Sequence, residues 1–158
     1  MTGSGEQRAL AAVEASGLAH RVVRHGRVST LADAAAIRGI EPSAMLKTLV
    51  VRRADDDFLF VLVPGDREIS WPKLRSLLGV SRLSMPDADT ARDVTGFERG
   101  TITPFGSLRA WPVIADVRAV SGEVSLGAGA HGVGIMADGA DVARVLGAEV
   151  ADITEPQV

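Results

Sequence analysis

Residues 100–106, with the sequence GTITPFG, have the composition of a rigid loop that could grip a bound molecule. The segment holds two glycines and one proline within seven residues, and Phe105 is an aromatic side chain in a protein that is only 4% aromatic. Glycine allows a backbone to come close to a ligand, whereas proline fixes φ and removes a hydrogen-bond donor. The pair therefore indicates a rigid loop with exposed N–H and C=O groups, although an ordinary surface turn has the same composition.

Lys47 and His131 are two further side chains that could take part in chemistry. Lys47 opens an apolar run at residues 49–51, whose β-branched content predicts a buried strand, so apolar neighbours would partly wrap the lysine. A lysine in such a position usually extends to water. His131 is the only histidine outside residues 20–25, and a lone histidine in a turn more often has a structural than a catalytic role.

Residues 127–132 (GAGAHG) match the letters of the GxGxxG dinucleotide-binding motif, with Glu149 near the spacing of a ribose-binding acid. In that motif the last glycine opens a helix whose N-terminus faces a pyrophosphate. Here residues 133–136 (VGIM) predict a strand, and the next helix begins only at Asp138. The segment is therefore interpreted as a tight hairpin turn, and nucleotide binding is kept only as a third hypothesis.

The composition excludes several classes of site. The chain has no cysteine, which excludes disulfides, thiol catalysis and Cys-ligated metals and fits a reducing cytoplasm. The three histidines do not predict a three-histidine metal site, and no GxSxG nucleophile motif occurs. With a net charge of −3, the protein would have to meet a polyanion through a local cluster of arginines and lysines, which argues against a protein that coats DNA.

The elements that must position these groups predict one α+β domain. The length suits a single domain over residues 1–158, with a flexible head at about residues 1–5. A hairpin at residues 49–63 and several short strands near the end do not fit a series of βαβ units. We therefore expect a mixed, mostly antiparallel sheet that curls toward a barrel and is surrounded by helices.

No membrane contact is expected. No apolar run approaches the roughly 18 residues that a membrane helix needs, and the first residues lack the apolar core of a signal peptide. A cytoplasmic location is therefore predicted.

Three of these features, in this order along the chain, resemble the YbaK family. They are Lys47-Thr48 at the start of a strand, the GxxxP pattern of Gly100 and Pro104 followed by Phe105-Gly106, and residues 128–131 (AGAH). The family contains bacterial aminoacyl-tRNA deacylases related to the editing domain inserted in bacterial prolyl-tRNA synthetase. The resemblance extends over roughly residues 5–154.

The resemblance implies hydrolysis of the ester that joins a wrong, small amino acid such as Ala, Ser, Cys or Thr to the 3′ adenosine of a tRNA. It implies no metal, no cofactor and no covalent nucleophile. Lys47 would anchor the terminal nucleotide or polarise the reacting centre, the loop backbone would grip the ester, and His131 would line the amino-acid pocket or orient water. The catalytic residues so implied are Lys47, Gly100, Thr101, Ile102, Thr103 and Pro104, and the substrate-binding residues are Thr48, Phe105, Gly106, Gly129 and His131.

The implied partner is the acceptor end of an aminoacyl-tRNA, with an aminoacyl-tRNA synthetase as a further candidate. A non-catalytic binder of charged tRNA or of a synthetase is the alternative from another functional class. Some family members carry a serine where this chain has Gly127, so the amino acid selected stays open. The acidic balance predicts weak, salt-sensitive tRNA binding. The basic residues that could share one face are Arg21, Arg24, Arg52, Arg53, Lys73 and Arg75.

Overall fold

The computed structural model of the protein describes residues 4–26 and 28–157, and these form an α+β structure of five α-helices and nine strands. The α-helices are α1 (Gly5–Ser16), α2 (Leu31–Arg38), α3 (Trp71–Leu78), α4 (Ala88–Thr95) and α5 (Gly139–Leu146). The strands are β1 (His20–Arg24), β2 (Leu46–Ala54), β3 (Asp57–Pro64), β4 (Arg67–Ile69), β5 (Val113–Asp116), β6 (Glu123–Gly127), β7 (Val133–Asp138), β8 (Glu149–Ala151) and β9 (Thr154–Pro156). Short 3₁₀ turns occupy Pro42–Ala44 and Val117–Ala119.

The strands form three sheets with the orders β1-β7-β6, β2-β3-β5-β8 and β4-β9. Only β5 pairs in parallel, with β3 on one side and β8 on the other, so the prediction of a mixed, mostly antiparallel arrangement is confirmed for the described strands. The predicted curling toward a barrel is not supported, because none of these sheets closes. The two larger sheets meet at a single bridge between Met45 and Ser125, and one bridge does not continue a strand ladder around a barrel.

Side-chain caps start four of the helices where the sequence indicates. Ser4, Thr30, Asp87 and Asp138 each accept a hydrogen bond from the backbone N–H three residues later. Residues 1–3 of the predicted flexible head lie outside the described residues, but Ser4 and Gly5 already belong to the capped start of α1. The predicted head at about residues 1–5 therefore does not include Ser4 and Gly5.

Two strands escaped the sequence analysis, and one predicted strand does not form. β4 and β9 pair with each other, yet each has only three residues, and β9 ends in a proline, so neither shows a detectable alternation. Residues 83–85 (LSM) also favour a short strand by their sequence, but the structure has only one antiparallel bridge there, between Arg52 and Ser84.

Strand β3 forms the centre of the core because it is buried on both faces. Phe58, Phe60 and Leu62 belong to the larger hydrophobic cluster, whereas the alternating Leu59 and Val61 belong to the second. A strand covered on both sides needs apolar residues at every position, which explains the continuous run FLFVLV. In the described residues, no helix is long and apolar enough to cross a membrane.

Asp116 anchors the C-terminal segment to the end of β5. Its fully buried carboxylate accepts hydrogen bonds from the N–H groups of Ile153, at 3.2 Å, and Arg118, at 3.1 Å. The Arg118 guanidinium lies 3.2 Å from the same carboxylate and 2.9 Å from that of Asp152. Asp116 therefore fixes the chain immediately before β9, and β9 in turn holds β4.

Replacing Asp116 with alanine is predicted to destabilise the protein by about 2–3 kcal/mol, because a buried N–H group at Ile153 would lose its acceptor. Urea-induced unfolding of Asp116→Ala and wild type measures the difference. Asp152→Ala is the matched control, since its carboxylate is half exposed, and its effect should be much smaller. Equal effects of the two substitutions would contradict the anchoring role of Asp116.

Candidate functional site

A cavity of about 930 Å³ lies where β2, the end of α2, the start of α4 and the β6–β7 hairpin meet the loop at residues 99–102. A volume of this size is within the range of small-molecule binding sites. Five of the residues predicted for the site line the cavity together: Lys47, Thr48, Gly100, Ile102 and His131. Segments separated by more than fifty residues of chain are thus brought to one wall.

The other predicted site residues do not line this cavity. Thr101 and Thr103 are buried, and the Thr101 hydroxyl donates to the Glu98 carbonyl at 2.7 Å. Phe105 is part of the larger hydrophobic cluster and is only 4% exposed. The remaining three of this group are Pro104, Gly106 and Gly129. These residues could therefore affect a bound molecule only indirectly, through the conformation of the loop.

Two backbone N–H groups of the loop are unpaired, within the described part of the chain, at residues that line the cavity. The N–H groups of Gly100 and Ile102 have no hydrogen-bond partner among residues 4–26 and 28–157, although both residues line the cavity wall. The Thr101 N–H between them is used within the loop, because it donates to the Glu98 carbonyl at 3.0 Å. A negatively charged oxygen in the cavity could therefore be stabilised by two backbone donors.

The imidazole of His131 lies against Gly100. A methyl group placed on the Gly100 Cα would come within 3.3 Å of His131 Cε1. The φ angle of Gly100 is +86°, a backbone conformation that residues other than glycine rarely adopt. Glycine at this position is thus required both by backbone conformation and by the close approach of His131.

The loop is held in place from the β6–β7 hairpin and from α1. The Gly129 N–H donates to the Thr101 carbonyl at 3.1 Å. At the base of the loop, the guanidinium of Arg8 on α1 donates to the carbonyls of Gly96 and Gly106, and it stacks 5.1 Å from the centre of the Phe97 ring. Sequence analysis missed Arg8, because a single arginine on an amphipathic helix gives no signal for contacts this distant.

Residues 127–132 form the hairpin between β6 and β7, as predicted. Because Val133 begins a strand and not a helix, the dinucleotide-binding interpretation of this segment has no structural support. Gly127 has space beside it: an added Cβ would lie 3.6 Å from the Ile102 carbonyl oxygen, an ordinary contact.

Lys47 lines the cavity, but its ammonium group is bound to β4. The Nζ atom donates to the Arg67 carbonyl at 2.6 Å, and within the described residues it makes no hydrogen bond to the loop. Burial lowers the pKa of Lys47, while the negative charges of Glu68 and Asp66 act in the opposite direction. The expected direct approach of the ammonium to residues 100–106 is therefore not observed as a hydrogen bond.

Thr48 contributes a polar group without a partner. Its Oγ1 atom is buried and forms no hydrogen bond with any described residue, although Thr48 lines the cavity. A buried hydroxyl without a partner costs free energy, so it is a group that a bound molecule could satisfy.

The cavity is electropositive although the protein as a whole is acidic. Arg38, Lys47 and Arg99 line it, and the carboxylate of Asp87 is the acidic group among the lining residues. Asp87 is occupied as the N-cap of α4, and the hydrogen bond from the Thr90 N–H lowers the pKa of this carboxyl. Sequence analysis missed Arg38 and Arg99, since neither belongs to a motif. No group of three His, Asp or Glu side chains suited to a metal ion occurs in the part of the chain that the structure describes.

Comparison with known proteins identifies sequence relatives that are much longer than this chain. Residues 25–145 match the model of the aminoacyl-tRNA editing domain. The proline–tRNA ligase of Bacillus licheniformis is 34% identical over 104 residues, which cover 66% of this chain and 18% of the ligase. The proline–tRNA ligase of Heliobacterium modesticaldum is 38% identical over 95 residues, which cover 56% of this chain and 16% of the ligase. The chain thus spans less than a fifth of the length of these relatives.

Solved structures match over nearly the whole chain. A protein proposed to be a trans-editing enzyme for prolyl tRNA synthetase has a TM-score of 0.88 and 25% sequence identity, with coverage of 98% of this chain and 99% of that one. The hypothetical protein APE2540 has a TM-score of 0.85 and 25% identity, with coverage of 94% and 99% respectively.

The charge of Glu68 is predicted to support the ammonium form of Lys47. In Glu68→Gln the pKa of Lys47 should fall further, because the larger of the two opposing carboxylate effects is removed while the burial remains. Titration of the lysine ε-carbon resonances by NMR measures this shift. Glu41→Gln removes an exposed carboxylate elsewhere and should leave the Lys47 resonance unchanged. A rise of the Lys47 pKa in Glu68→Gln would contradict the assignment.

Proposed function

Because the chain belongs to the aminoacyl-tRNA editing domain family, we propose that it is a trans-acting deacylase that hydrolyses the ester of a mischarged aminoacyl-tRNA. The observation that carries this proposal is the cavity lined by Gly100 and Ile102, whose N–H groups have no partner among the described residues, and by His131, whose imidazole lies against Gly100. The near-complete match to a protein proposed to be a trans-editing enzyme supports action outside a synthetase.

The loop donors would stabilise the charge that develops during ester hydrolysis. When water adds to the ester carbonyl, the carbonyl oxygen becomes an oxyanion, and the N–H groups of Gly100 and Ile102 would donate to it. In a serine protease, loss of one such donor reduces the rate by about 10² to 10³. Collapse of the intermediate breaks the bond to the ribose oxygen, which leaves as a hydroxyl after taking up the proton that the water lost.

His131 would orient or deprotonate the attacking water. Its ring lies against Gly100, so a water hydrogen-bonded to the imidazole would be close to an ester held by the loop. Lys47, whose ammonium is bound to the Arg67 carbonyl, would contribute positive charge near the nucleotide and not a donor to the oxyanion.

The amino acid would be small, with Ala, Ser, Cys and Thr as the candidates. The side of the cavity near the loop is bounded by the backbone of Gly127 and by Thr48, and a larger side chain would be rejected by steric clash. The unpaired Thr48 hydroxyl is suited to a polar group of the substrate, such as its amino group or a side-chain hydroxyl. The names of the relatives make tRNA for proline the first candidate for the RNA.

A basic cleft beside the cavity would bind the acceptor end of the tRNA. Its lining includes four arginines, and Arg75 and Arg82 form no ion pair among the described residues. The cleft adjoins the cavity, because Ser84 lines the cleft while Met85 and Pro86 line the cavity. The four arginines of the cleft are Arg52, Arg53, Arg75 and Arg82.

Three of the six basic residues named from the sequence therefore share this cleft. The other three are paired elsewhere: Arg21 with Glu123, Arg24 with Glu6, and Lys73 with Asp152. A few phosphate contacts at one cleft fit weak binding that depends on salt.

The principal test is deacylation of a panel of tRNAs charged with alanine, serine, cysteine, threonine and proline. Hydrolysis of at least one small aminoacyl ester above background is expected. Gly100→Ala should reduce that rate by about 10-fold to 100-fold, because its methyl group would contact His131 and strain the backbone. Gly147→Ala is the matched control: Gly147 also has positive φ, but open space surrounds it.

Absence of ester cleavage with every tRNA, at protein concentrations near that of the tRNA, would refute the deacylase proposal and leave the non-catalytic binder. Conversely, if Lys47→Ala abolishes hydrolysis while tRNA binding persists, the binder interpretation fails.

The basic cleft is tested by removing its unpaired charges. Arg75→Gln and Arg82→Gln should each weaken tRNA binding about threefold to tenfold and reduce the slope of log K against log salt by about 1. Arg144→Gln removes an exposed arginine of α5 that pairs with Asp141, and tRNA binding should not change. If both cleft variants bind tRNA with the wild-type salt slope, the RNA binds on another face of the protein.

A further inference from the structure

Arg38 has an unusual position at the wall of the cavity. It is the last residue of α2, and its guanidinium donates to the Ser125 hydroxyl at 2.6 Å and lies 3.3 Å (Nε) and 3.2 Å (Nη2) from His25 Nε2. The guanidinium crosses β7 at Gly134, where an added Cβ would come within 2.5 Å of Nη1. Gly134 is thus a glycine because the Arg38 side chain occupies the space of a Cβ.

The charge of Arg38 is not balanced by a carboxylate. Within residues 4–26 and 28–157 it forms no ion pair, and its hydrogen-bonding neighbours are the neutral groups of Ser125, His25 and Met45. Burial lowers the pKa of Arg38, with no opposing charge. An unpaired, half-buried cation is costly to a folded protein, so a function that needs the charge is indicated.

His25 positions the guanidinium without neutralising it. The Nδ1 atom lies 2.8 Å from the Gly26 carbonyl oxygen, which can only accept, so Nδ1 carries the proton. The Arg38 guanidinium can only donate, so Nε2 must be the acceptor. His25 is therefore a neutral imidazole in a fixed tautomer, and it orients the planar guanidinium toward the cavity wall.

A chain of contacts connects Arg38 to the proposed reaction centre. The backbone N–H of His25, whose ring holds Arg38, donates to the Gly132 carbonyl at 2.9 Å. Gly132 follows His131, whose ring lies against Gly100. Arg38 thus lines the same cavity as the proposed hydrolytic groups and is connected to them through His25 and Gly132.

We propose that Arg38 binds the phosphate group on the 5′ side of the terminal adenosine and so orients the aminoacyl ester toward Gly100 and Ile102. This inference rests on the proposed function, because it names the substrate group that the same cavity would take. A guanidinium suits a phosphate because its planar N–H groups can donate in pairs to two phosphate oxygens. Lys47 is less suited to this contact, since an ammonium is a point charge and does not offer two parallel donors in one plane.

The experiment compares adenosine 5′-monophosphate with adenosine as probes of the purified protein. Wild type should bind the monophosphate about tenfold more tightly than adenosine, as measured by NMR titration. In Arg38→Gln the preference should fall to less than about twofold, with the affinity for adenosine unchanged, and Arg38→Lys should keep part of it. Arg144→Gln, which removes the same charge from the exposed face of α5, should keep the full preference.

The failures of the two proposals are distinguishable. If Arg38→Gln keeps the wild-type preference, or if wild type binds neither probe or both equally, the role of Arg38 is refuted even where the tRNA panel shows deacylation. If the preference depends on Arg38 but no tRNA is deacylated, the phosphate site stands and the hydrolase proposal fails. Should Arg38→Gln not fold, the Arg38 Nε–H resonance of wild type decides: it must shift with the monophosphate and not with adenosine.

Discussion

The cavity depends on how the segment from Gly96 to Gly106 is held, because the groups that hold it come from both ends of the chain. Arg8 near the start binds the carbonyls at the two ends of the segment, and the Gly129 N–H in the last third binds the Thr101 carbonyl. Thr103 and Phe105 fix the segment from the core side. Because its other groups are engaged in this way, the loop is held in one conformation in which the Gly100 and Ile102 N–H groups have no partner among the described residues, as a backbone oxyanion site requires.

The charge distribution explains how an acidic protein can present a locally positive surface. Many carboxylates are engaged at helix starts, as in Asp33, Asp87 and Asp138, or in ion pairs. Arg38, Arg75, Arg82 and Arg99 form no ion pair with a described residue, and all of them line the cavity or the cleft. Because uncompensated positive charge collects at these two neighbouring surfaces, the local field opposes the sign of the net charge of −3.

The sequence predicted the parts of the structure that have local signals. The helix start at Asp138 was predicted correctly, and the lysine, loop and hairpin motifs predicted five residues that line one cavity: Lys47, Thr48, Gly100, Ile102 and His131. Contacts between distant residues gave no such signal. Arg8 binds Gly106 across 98 positions, and Arg38 binds Ser125 across 87. The predicted barrel was wrong for a related reason. Among the described residues, the sheets of β2 and β6 are joined by only one bridge, and the hydrophobic periodicity of a strand does not show which other strand it pairs with.

Several polar groups that line the cavity lack a partner in the described part of the chain, and this is an argument for binding there. Folding normally satisfies buried donors and acceptors, since each orphan costs about 1–3 kcal/mol. Around this cavity the Thr48 hydroxyl and two loop N–H groups have no hydrogen-bond partner among the described residues, and the Arg38 charge has no ion-pair partner among them. Such unpaired groups lower the stability of the folded protein. An aminoacyl ester that follows a phosphate would supply the complementary groups: a carbonyl oxygen for the loop, an amino or hydroxyl group for Thr48, and an anion for Arg38. A cavity that is only a packing defect would not be expected to have unpaired hydrogen-bond donors, an unpaired hydroxyl and an unpaired cation at the same place.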